Sequence, residues 1–130
     1  MNTVTEKNWG GASKVYTTRR EAYNKVVDSE NSSKFPRQVD AFHAAAAIGI
    51  RLGNLSSTEI NENREELLNV YSIDPDGILW ATISSLHHEA SGDERFKKLM
   101  QYADNGIERL AEEFGVYGNI QSAIDAILKT

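Results

Sequence analysis

The sequence predicts an all-α protein, a compact bundle of five or six short helices. Three observations carry that reading. Apolar residues recur at intervals of three and four over most of the chain, which places them on one side of a helix. Both prolines, Pro36 and Pro75, stand where helices begin, and neither interrupts an apolar stripe. The polar stretches between stripes are short, as in bundles whose neighbouring helices are joined directly. At 130 residues the chain supports one core and not two.

Residues 1–15, rich in Gly, Asn, Thr and Lys, are expected to form a flexible N-terminal arm, with 16–130 a single helical domain. The first helix has a capping box, Thr18-Arg19-Arg20-Glu21, in which the Thr18 hydroxyl accepts from the Glu21 amide and the Glu21 side chain reaches back. Tyr23, Val26 and Val27 give it an apolar side. DSENSSKFP (28–36) is a loop, and a second helix runs from near Pro36 to Leu52, with Gly53-Asn54 as its stop.

Residues 54–73 are the least regular. A short helix over 60–69 is expected there, and a turn followed by a strand at LLNVYSI is the alternative. Asp74-Pro75-Asp76 then opens a helix with an acceptor, a first-turn proline and an acid against the dipole. Leu79, Ile83, Leu86 and Ala90 form its buried stripe, with Trp80 beside it. Ser91-Gly92-Asp93 closes that helix and caps the longest one, whose stripe is Phe96, Leu99, Met100, Ala103, Ile107, Leu110 and Phe114, with Gly115 as its end. Asn119 caps a last helix with Ile120, Ala123, Ile124, Ile127 and Leu128 on one face.

The second helix contains VDAFHAAAAIGIRLGN (39–54), four alanines and a glycine in its middle. A mid-helix glycine costs about 1 kcal/mol against alanine, so Gly49 calls for a compensating gain. Small residues let a neighbouring helix approach closer than the usual ~8–10 Å between axes. This segment is therefore read as a central helix buried on several sides, with His43 a core residue bonded to a backbone carbonyl.

The order of small and apolar residues resembles a known family. Phe35 and Phe42 lead into Ala46-Ala47-Ile48-Gly49-Ile50-Arg51-Leu52-Gly53, and a later helix carries Tyr102-Ala103-Asp104-Asn105-Gly106-Ile107-Glu108-Arg109-Leu110. This pairing of AAxGxxxG with YAxxGhxxL (h apolar) is similar to the DNA phosphorothioation-associated (dnd system-associated) protein 4 family, over about residues 35–112. The resemblance implies an accessory protein of a prokaryotic system that places sulfur in the DNA backbone or restricts DNA lacking it. It supplies no catalytic residues.

The chemistry read from the residues is sparse. The absence of cysteine excludes disulfides, thiolate zinc sites and thiol nucleophiles. There is no phosphate-cradling loop and no H-E-x-x-H motif. His87 and His88 point about 100° apart on a helix, so a metal there needs an acid such as Glu112 from across the bundle; dipole contact at a helix end is the preferred reading. Ser84-Ser85 lie within a helix and not on a nucleophile elbow. No metal, no cofactor and no catalytic activity are expected.

A net charge of −5 argues against general nucleic-acid binding. The distribution is uneven, with eight basic and five acidic residues in 1–56 against six and fourteen in 57–130. Arg19 and Arg20 oppose the dipole of the first helix, and Lys25, Lys34, Arg37 and Arg51 extend the basic set. These residues are the expected contacts for DNA or an acidic partner if either is bound.

The expectation is a cytoplasmic accessory protein acting by protein–protein contact within a DNA-modification or restriction assembly, without a membrane span or a signal peptide. The alternative is a small DNA-binding or regulatory protein using the basic N-terminal helix pair. The sequence leaves homo-oligomer formation open.

Overall fold

The computed structural model describes residues 9–53 and 64–129. It is mostly helical, but the all-α expectation needs one correction: a two-stranded antiparallel sheet is built into the bundle. The order is β1 (Lys14–Thr17), α1 (Arg20–Val26), α2 (Gln38–Leu52), β2 (Glu65–Asn69), a 3₁₀ turn (Val70–Ser72), α3 (Ile78–Leu86), α4 (Gly92–Tyr117) and α5 (Ile120–Leu128). The long α4 is the axis on which the other helices and β1 pack, and its most extensive partner is α2.

The sheet overturns two expectations. Over residues 9–15 the chain is not a loose arm, because Trp9 and Val15 are fully buried and Lys14–Thr17 is paired. The short helix over 60–69 is replaced at Glu65–Asn69 by a strand, the alternative reading; positions 60–63 lie outside the described residues. Pairing runs Lys14 with Asn69, Val15 with Leu68, Tyr16 with Glu66 and Thr17 with Glu65, with a bulge between Val15 and Tyr16. The bulge skips Leu67, which is buried. An isolated two-stranded ribbon is marginal in water; here burial of Trp9, Val15 and Leu67 in the core anchors it.

Close packing of α2 on α4 follows from glycine on both sides. A Cβ placed on Gly49 would run into the backbone carbonyl of Tyr102, and one on Gly106 into that of Ala45. The gain expected for Gly49 is thus backbone-to-backbone approach. The helix is not buried all round, however. Ala41, Phe42, Ala45, Ala46, Ile48 and Gly49 face inward while Ala47 and His43 are exposed. His43 is at the surface and not in the core, although its Nε2 does donate to the Ile73 carbonyl, at 2.7 Å.

Caps decide the helix ends. Ser91 and Glu94 form a capping box at α4, Asn119 accepts from the Ser122 amide at 3.1 Å, and Gly53 closes α2 in the left-handed region. Gly115 does not end α4, which continues to Tyr117 and stops at Gly118 (φ 70°). Asp74 does hold the start of α3, but from a distance. Its buried carboxylate accepts from the Leu79 and Trp80 amides, both at 2.9 Å, across a turn closed by Gly77 (φ 76°), so the helix begins at Ile78. It ends at Leu86, short of Ala90, and Leu86 is half exposed instead of lying in a buried stripe.

Candidate functional site

Three places concentrate chemistry: a buried carboxylate under the β1–α1 corner, a charged cleft beside it, and the outer face of α3.

Asp104 projects from α4 into the core and is 1% exposed. The Thr17 hydroxyl donates to its Oδ1 at 2.5 Å, and the Thr18 amide and hydroxyl donate to Oδ2 at 3.1 and 2.7 Å. Burial raises the carboxyl pKa, and the threonine hydrogen bonds and the Arg19 charge offset that only in part. This contact explains why the Thr18 capping box does not form. The Thr18 hydroxyl is spent on Asp104, Arg19 stands at the cap position, and no side chain caps α1. Tyr23 lies fully buried nearby, its hydroxyl without a hydrogen-bond partner among the described residues. Burial, and then the Asp104 charge, push its pKa well above the usual value.

The corner fixes Arg19, whose guanidinium donates to the Thr18 hydroxyl at 2.7 Å and meets Glu108 at 3.1 Å. Between α1 and α4 lies a cleft of about 480 Å³. Arg19, Arg20 and Lys25 line it from the α1 side. Four carboxylates, Glu21, Glu65, Glu108 and Glu112, line it as well. The structure therefore gathers three of the six basic residues singled out in the sequence, but surrounds them with acids. Arg20 also donates to the Glu66 carbonyl at 2.9 Å.

The other three, Lys34 and, on or beside α2, Arg37 and Arg51, do not line the cleft. Arg37 is paired with Asp40 at 2.9 Å, and Arg51 donates to the Leu128 carbonyl at 3.1 Å. Lys34 sits over the Phe114 ring, 5.7 Å from its centre. These six residues are thus divided among separate places in the fold and do not form one site.

His87 and His88 do not meet Glu112, which belongs to the cleft. His87 Nε2 lies 2.8 Å from the Tyr102 hydroxyl, and burial, then Lys98, lower its pKa. His88 is exposed beside Glu89. Among the described residues no group of three His, Asp or Glu side chains is placed to hold a metal.

The outer face of α3 is the feature that sequence periodicity misread. Ile83 is its only fully buried residue, and Leu79 and Trp80 are partly covered. Ile78 and Leu86, two turns apart, are 63% and 50% exposed, with exposed Ala81 and Ser85 between them. The helix carries no charged side chain. Exposed acids stand beyond both its ends, Asp76 before it and Glu89 after it. Nearby Arg95 is occupied, donating to the His87 and His88 carbonyls and facing the Trp80 ring.

No described helix is long and apolar enough to cross a membrane. Comparison with protein-family models, with curated proteins and with solved structures finds no match to this chain.

Proposed function

We propose that this protein is a non-catalytic adaptor acting by protein–protein contact, with the outer face of α3 as its docking surface. The observation that carries the reading is the Ile78–Leu86 stripe, an uncharged helix face left open by the other described residues, on a helix with Ile83 alone fully buried. Exposed apolar stripes of this kind mark interaction sites. The partner is an amphipathic helix whose apolar side covers Ile78 and Leu86 and whose flanking Lys or Arg residues answer Asp76 and Glu89. The resemblance of residues 35–112 to the phosphorothioation-associated family supports placing that partner in a DNA-modification or restriction assembly.

The alternative, direct DNA binding through the basic N-terminal helix pair, has less behind it. Arg19, Arg37 and Arg51 are committed to Glu108, Asp40 and the Leu128 carbonyl, and the cleft around Arg20 and Lys25 is rich in carboxylates. Phosphate binding depends on surplus cations.

The test is capture from the native host's extract, with nuclease added to half, using the wild-type chain and Ile78→Glu/Leu86→Glu. The expected result is a nuclease-resistant partner from a DNA-modification or restriction system that the double variant loses while keeping its thermal midpoint. Partners that vanish with nuclease, or that the double variant retains, would overturn the reading.

A further inference from the structure

The cleft between α1 and α4 has a charge arrangement that the docking role does not use. Two helices wall it. From α1 and its leading residue come Arg19, Arg20, Glu21, Ala22 and Lys25; from α4 come Glu108, Ala111 and Glu112. Ala22 and Ala111 are the smallest side chains lining the space between. One end is closed by the Arg19–Glu108 ion pair at 3.1 Å. At the other end Lys25 and Glu112 make no ion pair with any described residue.

The Arg19 end is tied to the core. Thr17 and Thr18 are tied to buried Asp104, and Arg19 is held by Thr18 and Glu108. A volume of about 480 Å³ falls within the range of roughly 300–1,000 Å³ typical of small-ligand pockets. Lys25 on α1 and Glu112 on α4 both line the cleft without an ion pair of their own among the described residues, an arrangement complementary to a molecule carrying both signs.

We propose that this cleft binds a small zwitterion, its carboxylate toward Lys25 and Arg20 and its ammonium toward Glu112 and Glu65. The shared chemistry is one primary ammonium and one carboxylate, found both in free amino acids and in short peptides. Two walls, and not a single point of mixed charge, favour a peptide whose two termini are separated.

The test is a titration of ¹⁵N-labelled full-length protein, following the amides of Thr17–Lys25 and Glu108–Glu112. The probes are glycine, triglycine, N-acetyl-triglycine and triglycine amide. Triglycine is expected to give saturable shifts in the millimolar range. Either capped form, and either of Lys25→Met and Glu112→Gln, is expected to weaken binding roughly tenfold, the scale of one charge-assisted contact. Tighter binding of glycine than of triglycine would assign the cleft to free amino acids. Absence of saturable shifts from both up to about 10 mM, beyond the range in which a few charged contacts hold such ligands, would overturn the proposal. So would equal shifts from the capped peptides. Both variants are at exposed positions, and unchanged amide spectra elsewhere confirm that they fold.

Discussion

At the scale of single residues, two buried or half-buried titratable groups pull stability in opposite directions with pH. Burial gives Asp104 a folded pKa above that of an unfolded aspartate. Its contribution is therefore fully present below the unfolded value and is lost as pH rises through the folded one. Asp104→Asn keeps the shape, and its amide can turn its oxygen to Thr18 and its nitrogen to Thr17. The variant should gain on the wild type in urea midpoint as pH rises from the acid range to neutral. Parallel curves would deny Asp104 this role. His87 has the opposite sense, because burial lowers its pKa in the folded state. The unfolded chain then takes up more protons, so stability falls as pH drops below the ordinary histidine value of about 6.5. His87→Gln should flatten that fall, as read from thermal midpoints measured on either side of it.

Two glycines of α4 make a paired test at the same scale. Alanine at Gly106 would meet the Ala45 carbonyl, whereas nothing lies within 4 Å of a Cβ on Gly115. Helix propensity favours alanine at both by about 1 kcal/mol. At Gly115 that gain should appear as a raised melting temperature. At Gly106 overpacking of about 1–3 kcal/mol, or more where backbone must move, outweighs it, and the variant should melt lower. Gly49 was legible as a contact point because a helix-interior glycine has to be explained. Asp104 was less so: it sits beside the stripe positions Ala103 and Ile107, and only its place between buried neighbours signalled an inward acid.

Among elements, those set by local chemistry were readable and those set by distant partners were not. Ser91 with Glu94, Asn119 and Gly53 cap helices through atoms a few residues away, and the structure has all three. Thr18 carries the same local signal, yet Asp104, 86 residues on, takes its hydroxyl. Asp74 was the right acceptor in the wrong geometry, because Gly77 admits a turn before the helix. Strands β1 and β2 pair across some fifty residues; β1 alternates over only four residues, and in β2 the bulge at Leu67 breaks the alternation that marks a strand. The segment before β1 is pinned by Trp9, whose ring lies 5.9 Å from that of Phe96. Trp9→Ala should cost about 3–5 kcal/mol, and should increase amide exchange in both β1 and β2 if the sheet depends on that anchor.

Across the whole molecule, the apparent division into a basic first half and an acidic second half dissolves on folding. The basic residues Arg19, Arg20 and Lys25 are brought against acids from β2 and α4, and Arg37 and Arg51 find partners elsewhere. What the fold leaves unspent is apolar. Besides the α3 face, Val116 and Tyr117 are exposed at the far end of α4. Since Trp80 of α3 faces Arg95, that second pair is about 30 Å further along the helix at 1.5 Å per residue. Among the described residues the molecule thus presents separate apolar surfaces, the feature on which the proposed adaptor role rests.

Amide hydrogen exchange of the full chain, alone and with its captured partner, shows which face the partner covers. New protection is expected over Ile78–Leu86, with Arg19–Lys25 unchanged. Protection confined to Arg19–Lys25, with α3 exchanging as it does in the free protein, would contradict α3 as the docking face.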